Sequence, residues 1–244
     1  MRILYQLTSP MDRTVGPQEI ERRRRVLQGY AAADTEVAVE PTARGPAAIE
    51  SAHDAALVVP ELVRLAPLAE ERGFDAIIIG CYSDPGLDPL REMLRIPAIG
   101  PGAASLHLAA QLGTRISVLT PAGRGFGRVS ARMRALALAP LLASVRGIGL
   151  SVMELARQTP GALDKAAGAA RAAVEEDGAD VVVLGCMSMA FLPCICEDLS
   201  ERAGVPIVNP VVAALKTAEM VAGMGLAQSK AAYPVPKPQQ MVEA

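Results

Sequence analysis

The chain has 244 residues, of which 51% are apolar and only 3% aromatic, and its formal net charge is −2. This balance favours neither nucleic acid nor an anionic membrane as a partner, and no apolar run approaches the roughly eighteen residues that span a bilayer. Four cysteines in a chain without a recognisable signal sequence indicate free thiols, so we expect a cytoplasmic protein that binds a small molecule.

Short β-branched runs alternate with longer helical stretches along the chain, a pattern typical of parallel sheets built from strand–helix–strand units. Strands are predicted at residues 2–7, 35–40, 76–80, 97–99, 115–119, 148–153, 180–184 and 206–208. Helices are predicted near residues 18–32, 47–72, 86–95, 102–112, 124–143, 160–177, 189–203 and 210–224. The strands at 76–80 and 180–184 show no polar alternation, so helices should cover both faces of each sheet.

Two segments of the chain read as copies of one another. Residues 74–81 and 179–186 both include an acidic residue, four apolar residues, a glycine and a cysteine, and a proline-led strand follows each segment. The repeat predicts two pseudo-symmetric three-layer αβα domains, each with a parallel four-stranded sheet, and an active site in the cleft between them. We expect the domains at residues 1–105 plus 214–244 and at 106–213, with the last helix packing back on the first.

Candidate site residues follow the predicted strands, at the sheet edge where parallel sheets bind ligands. They are Ser9, Pro10, Cys81, Tyr82, Ser83, Thr120, Cys186, Met187 and Ser188. The glycine before each cysteine permits a sharp turn and a close approach of the backbone to a ligand. A predicted helix after each cysteine should favour its thiolate, which is both a nucleophile and a base, and offer N–H donors to an oxyanion.

Other residues suggest alternatives that the sequence does not favour. His53 and His107 lie in predicted helices outside any ligand pattern, so we expect the first on a helix surface and the second buried. Cys194 and Cys196 would point to different sides of a helix, and core packing is a better interpretation for both than a metal shared with Cys186. We therefore expect neither a metal nor another cofactor.

The run of four arginines at residues 22–25 is the one basic cluster of the chain. Glu19 and Glu21 precede Arg23 and Arg25 by four residues, the favourable order for ion pairs on a helix. We interpret this run as a solvated helix face.

In four segments the chain resembles the aspartate/glutamate/hydantoin racemase superfamily, and specifically its hydantoin racemase branch. These are residues 45–51, 80–88 (GCYSDPGLD) and 184–189, and Ser229-Lys230 with Tyr233. The resemblance covers essentially the whole chain. It implies a cofactor-independent isomerase in which one thiolate of the cysteine pair removes a proton next to a carbonyl and the opposing thiol returns a proton to the other face.

The resemblance implies 5-substituted hydantoins as substrates, with allantoin or aspartate- and glutamate-type amino acids as alternatives. The chain departs from the branch at residues 102–104, where an acidic residue is usual, at Thr120-Pro121 and at Ser188. These departures bear on the substrate more than on the reaction.

Two further hypotheses remain open. A malonate-type decarboxylase of the superfamily keeps only the second cysteine, so Cys81 disfavours it. A non-catalytic thiol or ligand-binding protein would leave both thiols dispensable or cross-linked. A two-base site needs the sulfurs about 7–8 Å apart, whereas a disulfide needs about 2 Å. Surplus apolar residues also suggest a homo-oligomer.

Overall fold

The protein contains two four-stranded parallel sheets, seen in a computed structural model that describes residues 1–123 and 125–237. The strands are β1 (Arg2–Gln6), β2 (Glu36–Glu40), β3 (Ala76–Ile79), β4 (Ala98–Ile99), β5 (Ile116–Thr120), β6 (Leu142–Gly147), β7 (Val181–Leu184) and β8 (Ile207–Val208). The first sheet has the order β2-β1-β3-β4, and the second has the matching order β6-β5-β7-β8. The predicted fold class and its internal repeat are confirmed.

Eleven α-helices connect and follow these strands in the described residues. They are α1 (Met11–Thr14), α2 (Pro17–Tyr30), α3 (Ala52–Glu71), α4 (Leu87–Met93), α5 (Pro101–Leu112), α6 (Phe126–Ala135), α7 (Val152–Ala156), α8 (Ala162–Glu175), α9 (Met187–Ala190), α10 (Ile195–Ala203) and α11 (Pro210–Gly223). Residue 124, where the fifth predicted helix begins, and residues 238–244, part of the predicted first domain, lie outside the described residues.

Successive side chains of β1 and β3 point to opposite faces of the first sheet, as the period of a strand requires. Tyr5 and Ile78 join an apolar cluster that runs through both halves of the chain, while Leu4 and Ile77 join a smaller cluster under α3 and α4. The absence of polar alternation in these strands therefore reflects burial on both faces, as predicted.

Two helices cross between the halves. Helix α5 follows the first sheet but packs against β7 and β8, and α11 follows the second sheet but packs against β3 and β4. The predicted return of the last helix to the first sheet is confirmed. The domain boundaries at residues 1–105 plus 214–244 and at 106–213 stay a prediction, because the main apolar cluster joins both halves.

The segment after α11 is hydrogen-bonded to the carboxyl end of α4. The ammonium group of Lys230 donates to the carbonyl oxygens of Arg91, Glu92 and Leu94, at 2.6, 3.0 and 2.5 Å. The hydroxyl of Tyr233 accepts from Arg91 at 3.0 Å. A cation at the carboxyl end of a helix satisfies carbonyls that have no partner within the helix and opposes the helix dipole.

The prediction of a strand at residues 148–153 is wrong. Strand β6 lies earlier, at Leu142–Gly147, and only its first two residues fall in the range 124–143, where a helix was expected. Because β6 is an edge strand and carries Ser144 and Arg146, it lacks the apolar run that marked the other strands. Residues 152–156 form α7 instead, since Ser151 and Glu154 make a capping box at its start.

Two helix expectations also fail. The helix predicted at 189–203 is interrupted between α9 and α10, where Cys194 has a left-handed backbone conformation, with φ of 50°. His107 is exposed rather than buried, because α5 turns only its opposite face, with Leu106 and Ala109, towards the core. His53 is exposed, as expected. Within residues 1–123 and 125–237, no helix is long and apolar enough to cross a membrane.

Helix α11 provides a test of the shared core. Replacing the buried Leu215 with alanine should lower the free energy of unfolding by about 2–5 kcal/mol, because it removes methylene groups and leaves a cavity. Met220→Ala, on the exposed face of the same helix, should change it by about 0.5 kcal/mol. Urea unfolding followed by circular dichroism measures both values, and equal values would contradict the packing of α11.

Candidate active site

The two cysteines occupy equivalent places at the ends of β3 and β7, the third strand of each sheet. The glycine before each one donates its N–H to the neighbouring strand, Gly80 to Gln6 at 2.7 Å and Gly185 to Leu119 at 2.6 Å. A Cβ at either glycine would lie 2.8 or 2.6 Å from the same carbonyl oxygen. The adjacent strand therefore requires glycine at both positions, and the expected close approach to a ligand stays a prediction.

Both thiols line one cavity of about 660 Å³ between the two halves of the chain. The other predicted site residues that line it are Ser9, Tyr82, Ser83, Thr120, Met187 and Ser188. Pro10 is not among its lining residues; it is buried before α1, where its carbonyl accepts from Arg13 and Thr14. Of the departures from the branch, Thr120, Pro121 and Ser188 line the cavity, while residues 102–104 lie outside it.

Cys81 is partly exposed to this cavity, and its sulfur lies 3.2 Å from the hydroxyl oxygen of Ser83. Burial raises the pKa of the Cys81 thiol, and the nearby Asp84 carboxylate raises it further. The hydrogen bonds from Ser83 and the charge of Arg132 act in the opposite direction. The thiol is therefore the resting form that the surroundings of Cys81 favour.

Cys186 is the N-cap of α9 and only 6% exposed. Burial raises the pKa of its thiol to about 11, and the nearby Cys81 contributes to the rise. The backbone N–H groups of Met189 and Ser188 and the charge of Arg23 lower the pKa but do not outweigh burial. The helix start therefore favours the thiolate of Cys186, as expected, but burial has the larger effect.

The expectation of an adjacent helix start is wrong at Cys81. Helix α4 begins only at Leu87, after a turn, so Cys81 does not stand at a helix start.

All four cysteines are free thiols. Cys194 is exposed, so the prediction that it packs in the core is wrong, whereas Cys196 is partly buried. Nowhere in the described residues do three or more His, Cys, Asp or Glu side chains cluster as metal ligands would.

A buried ion pair joins the loop of Cys81 to the second half of the chain. The carboxylate of Asp84, 7% exposed, pairs with Arg132 of α6, which also donates to the carbonyl of Ser83. Asp84 additionally accepts the N–H groups of Gly102 and Ala103, each at 2.9 Å, at the start of α5. Burial raises the pKa of Asp84 above its ordinary value, and the charge of Arg132 and the hydrogen bonds from Gly102 and Ala103 lower it only in part.

The loop before α3 also lines the cavity, which the sequence patterns did not predict. Residues 47–52 contribute to the lining, and the Glu50 carboxylate accepts the N–H of Val152 at 2.7 Å across the cleft. The signal was present, since the resemblance includes residues 45–51, but nothing in the chemistry of this apolar segment marked it as part of a site.

Arg23 is the second residue that the sequence patterns missed. It lines the cavity and is 1% exposed, so the solvated helix face predicted for residues 22–25 is wrong at this position. Its predicted ion pair with Glu19 is present, at 2.7 Å. The available signal was the spacing from Arg23 to Leu27, which places both on the buried face of α2.

Comparison with known proteins identifies the family of this chain. Residues 20–218 match the family described as Asp/Glu/Hydantoin racemase. The chain belongs to the Asp/Glu/hydantoin racemase family. The predicted resemblance is thus confirmed, and the protein is an isomerase, a racemase that acts on a carbon next to a carbonyl group.

Individual relatives of this racemase cover most of its length. The hydantoin racemase of Paenarthrobacter aurescens is 35% identical over 195 residues, 80% of this chain and 81% of the relative. That of Pseudomonas sp. (strain NS671) is 31% identical over 215 residues, 88% and 85% of the two chains. The structure of allantoin racemase from Klebsiella pneumoniae, 27% identical, superposes with a TM-score of 0.89 over 100% of this chain and 96% of that one.

Replacing Asp84 with asparagine tests the ion pair beneath the racemase cleft. The change leaves the partly buried Arg132 without its partner, so the free energy of unfolding should fall by about 3–5 kcal/mol. Asp88→Asn is the matched control, because the Asp88 side chain is 73% exposed, and about 0.5 kcal/mol is expected there. Chemical denaturation measures both; a loss at Asp84 no greater than that at Asp88 would contradict this role.

Alkylation rates test the raised thiol pKa. Iodoacetamide reacts with thiolates, so Cys186, buried and with a pKa of about 11, should react at least about tenfold more slowly at pH 7.5 than the exposed Cys194. Because the pKa is raised, the thiolate fraction of Cys186 and its rate should climb as pH rises towards that value. Mass spectrometry of peptides resolves the two sites. Equal rates at pH 7.5 would contradict the raised pKa.

Proposed function

We propose that this racemase inverts carbon 5 of 5-substituted hydantoins without a cofactor, with Cys81 and Cys186 as the acid and the base. The observation that carries the proposal is that both thiols, at equivalent strand ends of the repeat, line the same cavity. The hydantoin racemases among the relatives support the substrate class. The separation of the sulfurs, about 7–8 Å, stays a prediction.

The proton balance of this scheme is simple. The thiolate of one cysteine takes the hydrogen of carbon 5 as a proton, and the electron pair of the broken C–H bond moves into an enolate on the adjacent carbonyl. The other thiol then gives its proton to the opposite face of the carbon. The substrate is inverted, the two cysteines have exchanged roles, and the total number of protons is unchanged.

The electrostatics of the cleft allow at most one negative charge on the two cysteines. Burial raises the pKa of both thiols, and each thiolate would raise the pKa of the other, as the contribution of Cys81 at Cys186 shows. Once one thiol is ionised, the second proton is therefore held more tightly. One thiolate facing one thiol is the combination that a two-base racemase needs.

The lining of the cavity supports an apolar group at carbon 5. Met11, Ile49, Val129, Met153 and Met187 all contribute to it, and thioether chains adapt to ligands of different shape. Allantoin, the substrate named for the similar Klebsiella structure, is itself a hydantoin with a polar ureido group at carbon 5. The apolar lining therefore favours hydrocarbon substituents over allantoin for this chain.

Among the remaining predicted site residues, some hydroxyl groups already have a hydrogen-bond partner in the protein and others do not. The hydroxyl of Thr120 donates to the carbonyl of Ala122 at 2.9 Å, and that of Ser83 is engaged with Cys81. The hydroxyl of Ser9 has no partner in the described part of the chain, so we assign it to the substrate ring. Tyr82 and Met187 shape the walls beside the two cysteines.

We further propose a cytoplasmic homo-oligomer. Large apolar residues are exposed on the two crossing helices, Leu108 and Leu112 on α5 and Met220 on α11, and contact between copies would cover them. Analytical ultracentrifugation measures the oligomeric state directly. A monomer at micromolar concentration would exclude this part of the proposal.

Single cysteine variants test the two-base scheme. Cys81→Ala and Cys186→Ala should each lower the rate of racemisation by at least about 10³-fold, since each removes a proton-transfer group. Each variant should still exchange the carbon 5 hydrogen of one enantiomer with deuterated water, because one base remains. Polarimetry and proton NMR follow the two processes with optically pure 5-benzylhydantoin.

Cys194→Ala serves as the control, since this exposed thiol lies away from the cavity, and its activity should equal that of the native protein. Full racemisation by either cavity-cysteine variant would refute the scheme. Inactivity of the native protein on hydantoins, with activity on allantoin or amino acids, would refute the substrate.

A further inference from the structure

Arg23 is held at the cavity by three kinds of contact. Its Nε donates to the Glu19 carboxylate at 2.7 Å, its Nη2 donates to the Ser188 hydroxyl at 3.1 Å, and its guanidinium stacks on the Phe191 ring at 4.7 Å. Glu19 belongs to the first half of the chain, and Ser188 and Phe191 to the second. The planar group is therefore fixed from both sides of the cleft and keeps one orientation.

The ion cluster around Arg23 has an excess of positive charge. Glu19 pairs with Arg22 as well as with Arg23, at 2.7 Å in each case. One carboxylate between two guanidinium groups leaves one net positive charge, beside the thiol of Cys186. At Cys81, by contrast, Asp84 and Arg132 form a one-to-one pair. A buried cation with incomplete compensation is costly unless a negative group comes to it.

Arg23 also has hydrogen-bond donors to spare. A guanidinium carries five N–H groups. Apart from the two bonds to Glu19 and Ser188, Arg23 makes none to residues 1–123 or 125–237. Because Arg23 lines the cavity, its remaining N–H groups are available to a ligand there. The hydroxyls of Ser83 and Thr120, on the same walls, already have protein partners.

We propose that Arg23 donates to the carbonyl oxygen beside the reacting carbon and stabilises the enolate that forms when a thiolate removes the proton. Negative charge grows on this oxygen in the transition state, and a cation already fixed in the cavity stabilises it without reorganising. The inference rests on the proposed function. It makes Arg23 a catalytic residue in addition to the two cysteines.

The chain offers a matched pair of variants on one helix. Arg22 and Arg23 both bind Glu19, but only Arg23 lines the cavity, so Arg22→Lys is the control for Arg23→Lys. Lysine keeps the charge and loses the planar fork. Arg23→Lys should lower kcat on the order of 10²-fold with KM within about threefold, whereas Arg22→Lys should stay within about twofold in both.

Two further readouts separate catalysis from folding and from an effect on the thiols. The pH at which kcat/KM rises should be unchanged in Arg23→Lys, because the charge next to Cys186 is retained. Guanidinium at millimolar concentration should restore part of the activity of Arg23→Ala, since it refills the vacated space. Thermal unfolding shows whether each variant is folded at the assay temperature.

The results of these experiments distinguish a failure of the role of Arg23 from a failure of the proposed function. A native protein that racemises 5-benzylhydantoin, with Arg23→Lys as active as Arg22→Lys, overturns the role of Arg23 alone. A rise in KM without a fall in kcat overturns the role of Arg23 as well. So does a shifted pH profile in which kcat is restored at higher pH. A native protein that leaves the optical rotation of hydantoins unchanged overturns the proposed function, and the inference with it.

Discussion

The arrangement of the cleft depends on a single buried carboxylate, that of Asp84. It accepts bonds from the start of α5 and pairs with Arg132 of α6, so three separate parts of the chain meet at one charge. A buried charge is stable only when such partners surround it, which fixes their positions relative to one another. Because Asp84 lies three residues after Cys81, the first thiol is located relative to the second half of the molecule by this contact.

The internal repeat explains why a symmetric reaction suits this fold. At both strand ends a glycine lies against the neighbouring strand and delivers a cysteine to the same cavity. The surroundings of the two thiols nevertheless differ: Cys186 caps a short helix and faces a cluster with excess positive charge, whereas Cys81 faces a balanced ion pair. In the proposed scheme, the enantiomers of a substrate share one intermediate but meet unequal groups on the two sides.

Much of the fold was predictable because most strands are buried on both faces and stand out as uniform apolar runs, as residues 76–79 do. Strand β6 was not, because an edge strand tolerates Ser144 and Arg146. The cysteines were predictable because the repeat marks them twice. Arg23 was not, because four consecutive arginines look alike in sequence, and only the rotation of α2 decides which one is buried. Raised thiol pKa values likewise depend on burial, which local spacing does not reveal.

The crossing of α11 sets the order in which the protein can mature during synthesis. Residues 1–99 emerge from the ribosome with all four strands of the first sheet, but the face that carries Tyr5 and Ile78 is covered only in part, by α2, until residues 210–223 are made. The nascent chain therefore exposes the part of this apolar face that α11 later covers while its second half is translated. At this stage chaperones would protect it from aggregation.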